Sequence, residues 1–145
     1  MKRFQFQLTT ALDWRKRRME TEQARLDELL LHEAQLHQAL QEAAAQRAAA
    51  ADQLLQARSI DAADLAALET YRRALDSRKR RTQAELVRTG EALARQRQVL
   101  IAAMRDYRLM EKLKDRRLEE WRKQLDREME NEATELYLAK LGRKV

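Results

Sequence analysis

From Leu8 onward the apolar positions of the chain step by alternating fours and threes: Leu8, Leu12, Met19, Leu26, Leu29, Leu36, Leu40, Ala43, Ala50, Leu54 and Ala57. The same register sets Arg15, Glu22, Glu33 and Arg47 on the stripe, so eleven of fifteen positions are apolar. This is the heptad pattern of a helix whose narrow apolar seam packs on another helix. A second series runs through Leu65, Leu68, Leu75, Leu86, Leu93, Leu100, Ala103, Tyr107 and Met110. Beyond it the phase slips, and Leu109, Leu113, Leu118, Trp121, Leu125, Met129 and Leu136 follow a shifted register, as at a stutter.

Between the two series lies Arg58-Ser59-Ile60-Asp61-Ala62-Ala63-Asp64. Ser59 or Asp61 suits a helix N-cap, Asp64 adds negative charge to the first turn, and Ile60 is placed for a hydrophobic staple. The pattern predicts an all-α fold: a long antiparallel two-helix coiled-coil hairpin forming one domain. Helix one is expected over about 4–57, the turn over about 58–61 and helix two over about 62–141, a rise of 1.5 Å per residue making them roughly 80 and 120 Å long. Such a turn pairs residue 4 with about residue 116, leaving the last ~25 residues of helix two as an overhang. Gly90 inside the second helix is either a close crossing point or without consequence, and Gly142 stands where a C-terminal cap belongs.

Composition sharpens this picture. The 145 residues contain no proline and two glycines, so the main breakers of regular backbone are almost absent. Charged residues make up 37% and aromatics 5%, an alphabet that covers a seam between helices but not a thick core. The absence of cysteine excludes disulfides and thiolate metal sites and favours an intracellular home. The N-terminus is too polar for a signal peptide, and the longest apolar run, residues 99–104, falls far short of the roughly 20 residues that span a bilayer, so a soluble protein is expected.

The net charge of +6 is unevenly spread. Residues 26–70 are acidic, flanked by the basic runs Arg15-Lys16-Arg17-Arg18 and Arg78-Lys79-Arg80-Arg81, and residues 126–135 are acidic again. Clustered cations neutralise phosphates, and a basic run before leucine heptads suggests a basic-zipper layout. However, the Asn-x-x-Ala-Ala core of such a region is missing, and Trp14 and Met19 occupy positions expected to be polar. A solvated helix face, or a dock for an acidic protein, accounts better for both runs, and nucleic acid is not the expected partner.

Catalytic chemistry has no foothold. A zinc-protease helix needs its histidines four apart; His32 and His37 are five apart, which turns the second ring about 100° further round, onto another face. No phosphate-binding loop, catalytic triad or substrate cleft is indicated, so neither enzyme activity, metal, cofactor nor small-molecule substrate is expected. Phe4, Phe6 and Trp14 gather aromatics at the N-terminus, for packing against residues 106–118 or for a partner. Tyr71 lies between seam positions Leu68 and Leu75, with its ring free to reach outward. Trp121 lies in the expected overhang and is the best single candidate for an intermolecular anchor.

The opening Met1-Lys2-Arg3-Phe4-Gln5-Phe6-Gln7-Leu8, with Leu12 and Arg15 to Arg18 behind it, resembles that of the flagellar export protein family FliJ. So do Tyr71-Arg72-Arg73-Ala74-Leu75 and Met110-Glu111-Lys112-Leu113-Lys114-Asp115-Arg116-Arg117-Leu118, continued through Trp121 to Ala133. The resemblance implies a stalk like the central subunit of rotary ATPases, in the cytoplasm and peripheral to the inner face of the plasma membrane at the flagellar base. Family members insert their paired termini into the hexameric export ATPase ring (FliI), promote its assembly, contact the export gate (FlhA) and return export chaperones for reuse, supporting flagellum assembly and motility. By position, it implies ring contacts at Phe4, Phe6, Arg15, Arg18, Met110, Leu113, Arg116, Arg117 and Trp121. It implies gate contacts at Leu36, Leu40, Tyr71 and Leu75. The alternatives are the equivalent stalk of an injectisome-type secretion system, a basic coiled-coil nucleic-acid-binding protein, and a generic dimeric coiled coil.

Overall fold

A computed structural model of the chain describes residues 2–144. It contains two helices that pack against each other, α1 (Thr9–Leu55) and α2 (Ala62–Arg143), with no strand among the described residues. The fold is thus an all-α helical hairpin. Two compact units are distinguished: Thr21–Leu100, which contains the reversal of the chain, and Met1–Glu20 with Ile101–Val145.

In the Thr21–Leu100 unit the heptad stripe is the core. Leu26, Leu36 and Ala43 of α1 and Leu75, Leu93 and Leu100 of α2 are buried, Leu93 most deeply at 2% exposure. Leu29, Glu33, Leu40, Arg47, Ala50 and Leu54 are half-buried in the register read from the sequence. The second stripe is fuller than its leucines suggest. Thr82, Thr89 and Gln96 fill the positions between Leu75, Leu86, Leu93 and Leu100, with Thr89 at 5% exposure. The apolar contact fades towards the reversal, where Ala57 and Leu65 are exposed.

The reversal is made without glycine or proline. α1 tightens at its end, the Ala57 N–H donating to the Leu54 carbonyl at 3.2 Å. Asp61, rather than Ser59, caps α2: its carboxylate accepts from the Asp64 N–H at 2.8 Å, and the Asp61 N–H donates back to the Asp64 carboxylate at 3.4 Å. Each carboxylate satisfies an amide that the helix start leaves open, and both sit at the positive end of the helix dipole. Ile60 and Leu65 hold the two staple positions but remain 46% and 53% exposed, so little apolar surface is closed there.

In the other unit α1 begins at Thr9, five residues later than the pattern of leucines suggests. The Leu8 carbonyl accepts from the Leu12 N–H at 2.9 Å, and the Thr9 hydroxyl and N–H both donate to the Phe6 carbonyl at 2.6 and 3.2 Å. Residues 2–6 are not helical; Phe4 and Phe6 are half-buried while Arg3, Gln5 and Gln7 are exposed. That alternation is the period of two of an extended chain; in a helix, residues two apart point to nearly opposite sides. Extension also changes the reach. Six helical residues from Arg15 to Thr9 climb ~9 Å along α2 from Asp106, and the few extended residues up to Phe4 add ~13 Å, which together arrive ~15 residues on. Phe4 accordingly meets Trp121, not residue 116. The buried positions of α2 follow: Tyr107 to Leu118 and Met110 to Trp121 are both eleven-residue steps, the spacing of a stutter.

Of the two readings of Gly90 the structure supports the one without consequence, and Gly142 does not have the capping role its position suggested. A Cβ built on Gly90 meets nothing within 4 Å, so no close crossing requires it. Gly142 lies inside α2 and has no positive φ, so it is not a left-handed cap. Gly90→Ala is therefore expected to stabilise the fold by about 1 kcal/mol, and Leu93→Ala to destabilise it by about 2–3 kcal/mol. Urea unfolding followed by circular dichroism checks both; loss of stability in Gly90→Ala would show that the glycine serves a packing role.

Candidate functional site

The terminal unit joins the two segments expected to form one surface. The Phe4 and Trp121 rings lie with centroids 5.9 Å apart, tilted at 55°. Phe6, Leu8, Arg117, Glu120 and Gln124 line the same shallow depression. Trp121 is thus half-buried under the N-terminal segment instead of standing free as an anchor. Met110 is buried between the helices and Leu113 is half-buried, so both build the surface from beneath. Arg15 is held to α2, its guanidinium donating to the Asp106 carbonyl at 3.3 Å with the Asp106 carboxylate at 4.0 Å. Arg18 is exposed and stacks its guanidinium on Trp14, 5.6 Å from the ring centroid, a cation–π contact not anticipated from the sequence. Arg117 is exposed and lines that depression with Phe4 and Trp121, whereas Arg116 is exposed on α2 outside it.

The residues expected at a gate contact, all in the Thr21–Leu100 unit, are not gathered into one patch. Leu36 and Leu75 are buried in the helix seam and Leu40 is half-buried, whereas Tyr71 is exposed. Tyr71 borders a groove with Ala50, Gln53, Leu54 and Leu68. Beside Leu75, Asp76 accepts from Arg47 at 3.1 Å. Leu36 lies instead near the rung where His32 meets Glu85 at 3.1 Å. The two halves of the expected surface therefore sit at different levels of the helix pair.

In each unit one polar group on the stripes has partners that sequence reasoning did not supply. Glu22 is 7% exposed, yet its polar atoms are met: Gln96 Nε2 donates to its carboxylate at 2.6 Å and to its carbonyl at 3.0 Å, and Arg25 donates to the other carboxylate oxygen at 3.0 Å. A buried acid with partners on both helices fits one axial register, since a slip strands it without hydrogen bonds. Glu22 was visible as an interruption of the first stripe; Gln96 becomes visible once the threes and fours are continued through the polar positions of the second. In the terminal unit, Tyr107 hydrogen-bonds to Glu111. That bond, then burial, then the charges of Glu111, Glu20 and Asp13, hold its phenol above its ordinary pKa.

No group of three or more metal-ligating side chains occurs among the described residues, and no helix among them is long and apolar enough to cross a membrane.

In comparisons with known proteins, a family model described as flagellar FliJ protein matches residues 4–136. The match takes in the extended N-terminal segment, all of α1 and most of α2. No curated protein and no solved structure matches the chain.

The raised pKa of Tyr107 has a signed consequence. The folded state holds the phenolic proton more tightly, so its contribution is present below the unfolded-state value of about 10 and is lost as pH rises through the folded-state value. Wild type is expected to lose urea stability over that window more steeply than Tyr107→Phe. Identical pH dependence of the two proteins would contradict the assignment.

Proposed function

We propose, from the premise that this chain belongs to the flagellar FliJ family, that it is a non-catalytic helical stalk of the flagellar protein export apparatus. Its terminal unit engages the export ATPase ring and promotes ring assembly, while the Thr21–Leu100 unit meets the export gate and exchanges chaperones. The protein works in the cytoplasm, peripheral to the inner face of the membrane at the flagellar base. The observation that carries the reading is the family match running through both segments of the terminal surface, the one around Phe4 and the one from Met110 to Trp121.

Physical chemistry supports this division. A stalk within a ring needs stiffness and matched charge rather than a catalytic group, and two long packed helices supply the stiffness. Arg117 borders the docked Phe4–Trp121 pair, Arg116 is exposed next to it in sequence, and Arg18 is exposed on α1. Exposed cations suit an acidic ring lining, and long-range attraction speeds docking. Trp121 acts here as a clamp that holds the N-terminal segment on α2. In the second unit, exposed Tyr71 is the accessible member of the gate surface, with Leu36 and Leu75 setting the packing beneath it.

Paired reversal Arg116→Glu with Arg117→Glu is expected to weaken binding to the export ATPase, and stimulation of its hydrolysis, by about tenfold, with helicity unchanged. Trp121→Ala is expected to weaken them too, by releasing the N-terminal segment. Full stimulation by the reversed variant would remove this surface from the ring contact. Steeply salt-dependent DNA binding without any ATPase response would replace the stalk reading altogether.

A further inference from the structure

Past Leu125 every described residue of α2 is exposed. This arm, residues 126–144, extends beyond the point where Phe4 ends the coverage of α2 by the N-terminal segment. It is not a plain polar helix. Met129, Ala133, Leu136, Tyr137 and Leu141 fall at steps of four, three, one and four, which places them on one helical face. Leu136 is 65% exposed and Tyr137 64%, so the face is open to water.

The charge of the arm is segregated along its length. Residues 126–135 carry five carboxylates and one guanidinium; residues 136–144 carry three cations and no carboxylate. An arm that is acidic at its near end and basic at its far end is the complement of its own reverse. Laid parallel, two copies set like charges side by side. Laid antiparallel, they set opposite charges together and also oppose their helix dipoles.

We propose that this arm pairs antiparallel with the same arm of a second copy of the chain, about a two-fold axis near residue 135. In that register Met129 lies level with Leu141 of the second copy, small Ala133 with bulky Tyr137, and Lys140 with Glu130. Large against small and cation against anion recur on both sides of the axis, as an isologous contact requires. Two helical segments over residues 126–143 overlap over only ~27 Å, which places the contact at the small end of specific interfaces and makes the dimer reversible. The inference rests on the arm alone and holds whether or not the terminal unit enters an ATPase ring.

The chain contains no cysteine, so single-cysteine variants of the full chain report the geometry directly. Under mild oxidation, Leu136→Cys is expected to form a disulfide-linked dimer. Leu141→Cys alone is not, because its two copies stand ~18 Å apart along the axis, beyond disulfide reach. Mixing Met129→Cys with Leu141→Cys is expected to yield the mixed dimer. Sedimentation equilibrium of wild type is expected to show a monomer–dimer equilibrium over about 1–200 μM, weakened by salt and abolished by Leu136→Glu with helicity intact. A wild type that stays monomeric throughout overturns the proposal and leaves the face to a different protein. Disulfide formation by Leu141→Cys as readily as by Leu136→Cys overturns it in favour of parallel pairing.

Discussion

Each helix carries one apolar stripe about two residues wide per seven, and the partner stripe on the other helix is what covers it. That constraint governs most of the molecule. Leu26, Leu36, Leu75, Leu93 and Leu100 can leave water only where the helices meet, so the chain must reverse and the helices must run alongside each other. Among the described residues, a seam this narrow buries no large side chain completely. High intrinsic helix propensity along both stretches makes the arrangement cheap in conformational strain, but the seam decides which faces turn inward.

A leucine stripe alone fixes a face and not an axial position, since sliding by a heptad costs it little. The polar members of the seam resolve that ambiguity. Glu22 has its hydrogen-bonding partner in Gln96, and slipping the helices would strand a buried carboxylate. In the same unit Arg47 with Asp76 and His32 with Glu85 are further rungs that match at one register only. In the terminal unit Arg15 on Asp106 and Phe4 on Trp121 serve the same end. Polar interruptions of a heptad pattern are thus part of its specification, trading a little apolar burial for a unique alignment.

The hairpin was legible because it rests on periodicity, and periodicity survives in sequence. Positions from Leu12 to Leu54 are buried or half-buried in the register that the threes and fours assign. What escaped was information of a different kind. The segment before Thr9 was read in the helical register because Leu8 and Leu12 are four apart; its own alternation of Phe4 and Phe6 with polar neighbours is a period of two, too short a run to outweigh seven heptads. Thr82, Thr89 and Gln96 escaped because a search for leucines steps over polar seam positions. The cap at Asp61 rather than Ser59 depends on backbone geometry that neither residue type determines. The candidate surfaces were assigned by position in the family and not by exposure: Leu36, Leu75 and Met110 belong to the apolar stripes as well, and the burial that the stripes assign is what the structure shows.

The separation between buried and exposed members of those surfaces has a consequence for how such a protein acts. Five of every seven positions are free of the seam, and in this chain they mix charged residues with alanine and exposed apolar side chains such as Leu31, Val87 and Leu109, so the outer faces can vary without disturbing the fold. Binding specificity is then carried by which charges stand beside which fixed apolar groups. At the terminal surface Trp121 gives up its exposure to hold Phe4, and Arg117 stands exposed at the edge of that contact. An aromatic contact that orders the N-terminal segment in advance lowers the entropy lost when a partner is met there. Packing and recognition are in that sense linked: the seam that turns one face of each helix inward decides which side chains stand outward.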